Sequence, residues 1–75
     1  MNFFKTQREK LGLTQRQIAD SLRMTAQAVS AWETGKTIPE VTLFDRLAVA
    51  YRTTPERISA EALRMARSRA PRARE

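Results

Sequence analysis

A chain of 75 residues, 41% hydrophobic and 29% charged, holds one small domain with a modest core, to which dimerisation would add buried surface. It contains no cysteine and no histidine, which excludes a disulfide framework and the usual catalytic nucleophile and base, makes a zinc site implausible, and leaves no cofactor to expect; two glycines make no phosphate-cradling loop. The formal charge of +6 favours a polyanionic partner, yet Arg64, Arg67, Arg69, Arg72 and Arg74 against Glu75 carry +4 of it, so residues 1–63 are only mildly basic at +2.

In chain order, Asn2 is placed to cap a first helix whose inner face uses Phe4, part of Arg8 and Leu11, with Phe3 beside it and Gly12 as the stop. Thr14 and Gln17 have the spacing of a capping box, so a second helix starts at about Gln15 and buries Ile18, Ala19 and Leu22. Only Arg23 and Met24 separate it from Thr25, the cap of a third helix that carries Val29 and Trp32 inward and ends at Gly35. Two short helices joined by a three-residue turn have the geometry of a helix-turn-helix.

Beyond Pro39, the recurrence of Val41, Phe44, Leu47, Ala48 and Tyr51 predicts a fourth, core helix. Thr54 and Pro55 read as N-cap and first residue of a fifth, with an inner stripe of Ile58, Ala62, Met65 and Arg69 and a stop at Pro71. Asp20, Glu40, Asp45, Glu56 and Glu61 fall on what read as exposed faces or helix starts, and catalysis is not expected. The expected division is a domain of residues 1–63 and a basic extension, 64–75, comprising the end of the fifth helix and a disordered tail. No apolar run is as long as a membrane span, and the N-terminal residues lack the apolar core of a signal peptide, so a soluble intracellular protein is expected.

With Val29 and Trp32 turned inward, the third helix presents Ala26, Gln27, Ser30 and Ala31, a small and amide-bearing face without a carboxylate. Such a face fits a DNA major groove: glutamine pairs bidentately with adenine, serine bonds several base edges and alanine meets the thymine methyl, with ~1–3 kcal/mol of discrimination per good bidentate contact.

The order and spacing of Arg8, Leu13-Thr14-Gln15, Ile18-Ala19, Val29, Trp32-Glu33, Gly35-Lys36, Pro39, Leu47-Ala48 and Ile58 resemble the Cro/repressor-type helix-turn-helix family, also called the XRE family, between Phe4 and Ile58. The resemblance implies an all-α, compact five-helix lambda-repressor-like domain acting on double-stranded DNA in the bacterial or phage-infected cytoplasm, at the nucleoid. It implies a base-reading set of Thr25, Ala26, Gln27, Ser30 and Ala31, with Gln27 foremost. Gln15 would touch a phosphate and brace the first turn of the recognition helix, with Lys36, Arg16 and Lys10 as further phosphate candidates. Arg8 and Glu33 would form a partly buried structural ion pair. The corner between the fourth and fifth helices, Thr53, Pro55, Arg57 and Ile58, would lie at a homodimer interface.

The chain departs from the family pattern at Arg23, where glycine is usual and φ is often positive, and an arginine there would cost about 1 kcal/mol in return for a phosphate contact. Gln7 stands where leucine is common, and Arg52 and Thr53 where Gly-Val is common. The leading expectation is a homodimeric repressor on a palindromic operator, with neither membrane nor small-molecule ligand. The alternative is an antitoxin or adaptor whose C-terminal helix and tail bind a partner protein while DNA binding serves autoregulation. A third reading, an arginine tail on RNA or an acidic membrane surface, explains less of the pattern.

Overall fold

The computed structural model describes residues 2–69 as α1 (Phe3–Lys10), α2 (Gln15–Leu22), α3 (Ala26–Thr34), a 3-10 turn at Val41–Leu43 leading into α4 (Phe44–Ala50), and α5 (Pro55–Arg69). No strand occurs among the described residues, so the fold is all-α as expected. The expected stop at Pro71 and the tail beyond Ala70 lie outside the described residues, as does the side chain of Arg69.

The helices begin where the capping residues stand. Asn2 Oδ1 accepts from the Lys5 amide at 3.2 Å, Thr25 Oγ1 from Ala28 at 3.2 Å and Thr54 Oγ1 from Arg57 at 3.1 Å. At α2 the box closes in both directions: the Gln17 amide donates to Thr14 Oγ1 at 3.0 Å, and the Thr14 amide to Gln17 Oε1 at 2.8 Å. Each satisfies amides that the first turn of a helix leaves without an internal partner.

The first four helices end alike, in a left-handed residue at Gly12, Arg23, Gly35 or Arg52, with φ of 73°, 57°, 80° and 53°. The following amide then bonds back across the last turn: Leu13 to the Arg8 carbonyl, Met24 to Ala19, Lys36 to Ala31 and Thr53 to Ala48, at 3.1, 2.9, 2.9 and 2.8 Å. This is the Schellman arrangement, which favours glycine because a Cβ is crowded in that conformation. Arginine occupies two of the four positions, Arg23 and Arg52, and both are among the sites where the sequence departs from the family pattern.

The helices close around one core of Phe4, Ile18, Ala19, Leu22, Val29, Trp32, Leu47, Ala48, Tyr51, Ile58 and Met65. Phe4 meets the Tyr51 ring edge-on at 5.3 Å, a favourable arrangement of the two quadrupoles. The Tyr51 hydroxyl is buried without a partner among the described residues, and burial pushes its pKa up, so the phenol stays neutral. Because Met65 joins this core, the packed body extends along α5 past residue 63.

Two expectations about burial are corrected. Val41 belongs to the 3-10 turn and is 72% exposed, because that tighter turn breaks the helical phase that would have carried it inward with Leu47. Glu61 is 8% exposed and lies between Arg57, whose Nε is 2.9 Å from Oε2, and Arg64, whose Nε is 3.4 Å from Oε1. Two guanidiniums offset the desolvation that otherwise keeps a carboxylate at the surface.

Candidate nucleic-acid interface

Side chains from α1, its capping residue Asn2 and α2 hold α3 in place. In its last turn, Glu33 accepts from Arg8 twice, Nε to Oε2 at 2.6 Å and Nη2 to Oε1 at 3.0 Å, a fork that fixes orientation as well as distance. Arg8 Nη1 also donates to the Leu13 carbonyl at 2.8 Å, tying the entry of α2 to the same guanidinium. The Glu33 hydrogen bond and its charge push the Arg8 pKa up, outweighing desolvation.

Gln15 joins this cluster, donating from Nε2 to Glu33 Oε1 at 3.1 Å. It therefore braces the last turn of α3, where the family resemblance had implied the first. The reason is geometric: Glu33 is the buried acceptor, with its side chain 3% exposed, and the start of α2 lies beside it. Gln15 and Arg16 open α2, where a helix leaves its first backbone amides without an intrahelical partner.

Asn2, besides capping α1, donates from Nδ2 to the Trp32 carbonyl at 2.6 Å. Arg46 on α4 donates from Nη2 to the Leu22 carbonyl at 2.6 Å, at the end of α2 where the chain turns toward α3. Gln7 donates from Nε2 to the Tyr51 carbonyl at 2.9 Å, a role that leucine could not fill at the left-handed end of α4. Sequence reading missed all three, because no local pattern marks a side chain that reaches a carbonyl 24 to 44 residues away.

What α3 offers outward is narrow. Gln27 is exposed, Ala26, Ser30 and Ala31 are half-buried, and Thr25 is exposed with its hydroxyl engaged as the cap. Val29 and Trp32 face the core as expected, and Trp32 has no surface on which a base could stack. Of the phosphate candidates, Lys10, Arg16, Arg23 and Lys36 are exposed. Arg16 approaches Asp20 at 3.6 Å, an exposed contact of little energetic weight. Lys36 follows Gly35 directly after α3 and Arg23 sits in the turn before it, while Lys10 lines a groove that α1 forms with α5.

A family model described as Helix-turn-helix matches residues 4–58, which span α1 to the first turn of α5. The chain belongs to the Cro/repressor, or XRE, type of this family. It is a DNA-binding regulator of that type, with α2 and α3 as the motif. No curated protein and no solved structure matches it.

The XRE domain's α5 runs past the matched segment to Arg69. Of the four residues expected at a dimer interface, Ile58 is corrected: it is 0% exposed and fills the core, so it has no surface to give a second copy. Thr53 is half-buried, and Pro55 and Arg57 are exposed. Among the described residues no helix is long and apolar enough to cross a membrane, and no three His, Cys, Asp or Glu side chains gather as a metal site would require.

Proposed function

We propose that two copies of this chain bind an approximately palindromic operator and repress transcription by occluding a promoter in the cytoplasm of a bacterial or phage-infected cell. The observation that carries this reading is the outer face of α3, which pairs an exposed Gln27 with small side chains, while the helix's single carboxylate, Glu33, is buried behind it. In the dimer the two recognition helices enter successive major grooves about 34 Å apart. Thr25, Ala26, Gln27, Ser30 and Ala31 face base edges; the α2 amides with Gln15, Arg16, Arg23, Lys36 and Lys10 take phosphates.

The copies meet on the outer faces of α4 and α5. Val41, Phe44, Pro55 and Ala60 line a shallow depression there together with Asp45, Glu56 and Ser59, and Leu63, 52% exposed, continues the same face of α5 one turn on. Leu63→Glu is expected to leave the melting temperature of dilute protein nearly unchanged and to convert the dimer to monomer by analytical ultracentrifugation. A dimer that persists through this change places the interface elsewhere.

Selection of bound sequences from a randomised duplex pool, followed by sizing of the complex on the winning site, tests the whole reading. A palindrome with half-sites about one helical turn apart, bound by two chains, is the expected result. Weak, salt-sensitive binding without enrichment of any sequence overturns it.

Arg23 provides a separate check. Its left-handed conformation costs about 1 kcal/mol that glycine does not incur, and its side chain is exposed with no ion-pair partner among the described residues. Arg23→Gly is therefore expected to melt at a higher temperature yet bind DNA more weakly, with the salt slope reduced by about 1. Equal DNA affinity in the two proteins would remove the phosphate role.

A further inference from the structure

α1 and α5 enclose a groove of about 670 Å³ to which neither α2 nor α3 contributes a residue. Its apolar surface includes Phe3 and Met65, and its rim carries Lys10, Arg57 and Arg64. The buried Glu61 organises this rim. It takes the Nε of Arg57 at 2.9 Å and approaches the Nε of Arg64 at 3.4 Å, while the Arg57 guanidinium lies 4.6 Å from the centroid of the Phe3 ring. Arg57 is thereby oriented through Nε, and among the described residues no hydrogen bond engages the Nη groups of either arginine. Lys10 likewise has no ion-pair partner there. Three cations against one carboxylate leave a local excess of positive charge around an apolar floor.

We propose that this groove docks an acidic peptide segment of a partner protein, with an apolar side chain seated against Phe3 and Met65 and carboxylates bonded to the outward Nη groups of Arg57 and Arg64. The charge of the rim selects the occupant. A carboxylate accepts the paired N–H groups of a guanidinium fork, and an apolar side chain beside it covers surface that water would otherwise wet. A nucleic-acid backbone suits the site less well, since it has no apolar group to offer Phe3 and Met65. A second copy of this chain would bring a further basic α5 against a basic groove. The proposal goes beyond the repressor reading: because the groove shares no residue with α3, a bound partner leaves Gln27 free.

The test uses the full chain labelled for two-dimensional NMR and titrated with a blocked peptide of alternating glutamate and leucine. The same peptide with glutamine for glutamate serves as the control. Saturable shifts confined to α1 and α5, with the acidic peptide alone, are expected. Arg64→Glu and Lys10→Glu each weaken binding by about tenfold, because rim charges are reversed. Lys5→Glu, which changes net charge equally but does not line the groove, retains it. Arg64 is exposed, and melting curves confirm that each variant is folded. Shifts centred on α3 would show the peptide mimicking DNA at the recognition face, and shifts on the α4 face would give the contact to that surface. Either result, equal binding of the glutamine peptide, or no binding overturns the proposal.

Discussion

Arg8→Ala is expected to destabilise the domain by about 3–5 kcal/mol, as removal of one partner of a buried ion pair does elsewhere. A domain of this length has a total stability of roughly 4–11 kcal/mol, so the loss brings it close to unfolding. The cost arises less from the attraction forfeited than from what remains. Glu33, its side chain 3% exposed, would be left with only Gln15 as a partner, and the Leu13 carbonyl would lose its donor. Urea denaturation of Arg8→Ala, Glu33→Gln and the double change to Met and Leu separates these contributions. The double variant should recover much of the loss, because it leaves no buried charge alone. A cost below about 1 kcal/mol for Arg8→Ala would mean that solvent reaches Glu33 and that the pair is energetically a surface contact. On the Arg8 side the sign is fixed. A raised folded-state pKa gives stability that is present below the unfolded value and lost only as pH rises through the folded one, in strongly alkaline solution. The guanidinium therefore holds α3 at every pH at which the domain would meet DNA.

Gln27→Ala should produce the largest change in specificity. Gln27 is the one long polar side chain exposed on the outer face of α3 in its first turns, and a bidentate glutamine–adenine pair contributes ~1–3 kcal/mol of discrimination at one base pair. Competition binding on a selected site and on sites altered one position at a time should show preference collapsing at one position per half-site and surviving elsewhere. Nonspecific affinity and the salt slope should hold, since no cation has been removed. Lys36→Ala is the counterpart: it should weaken every sequence alike and reduce the salt slope by about 1. If Gln27→Ala instead weakens all sequences equally, the amide contacts backbone rather than a base, and readout passes to Ser30 and the alanines.

The parts of the fold that could be read from the chain share a short range. Asn2, Thr14, Thr25 and Thr54 each cap an amide three residues on, so side chain and partner stand together in the sequence. The same holds for the stops at Gly12 and Gly35, whereas the left-handed conformation at Arg23 was implied by the family resemblance. The inward phase of Ile18, Leu22, Val29 and Trp32, and hence the outward phase of Gln27, follows from helical periodicity.

Periodicity misled where a helix was not one continuous helix, and charge misled where partners came from the same face. Val41 fell out of phase because three residues of 3-10 turn precede α4, and Glu61 is buried because arginines three and four residues away fold over it. Ile58 was placed at a dimer contact by resemblance alone, whereas its burial follows from the stripe it shares with Ala62 and Met65.

The sequence by itself determined the number and order of the helices, their caps, and the composition of the face that α3 presents, because each depends on neighbours within one or two helical turns. The tertiary structure alone decided how that face is held, Gln15 on Glu33 and Asn2 on Trp32, and how the other helices are tied together, Arg46 on Leu22 and Gln7 on Tyr51. It alone also opened the groove between α1 and α5. These contacts join residues that only packing of the apolar stripes brings within hydrogen-bonding distance, and a hydrogen bond requires a geometry that periodicity does not specify.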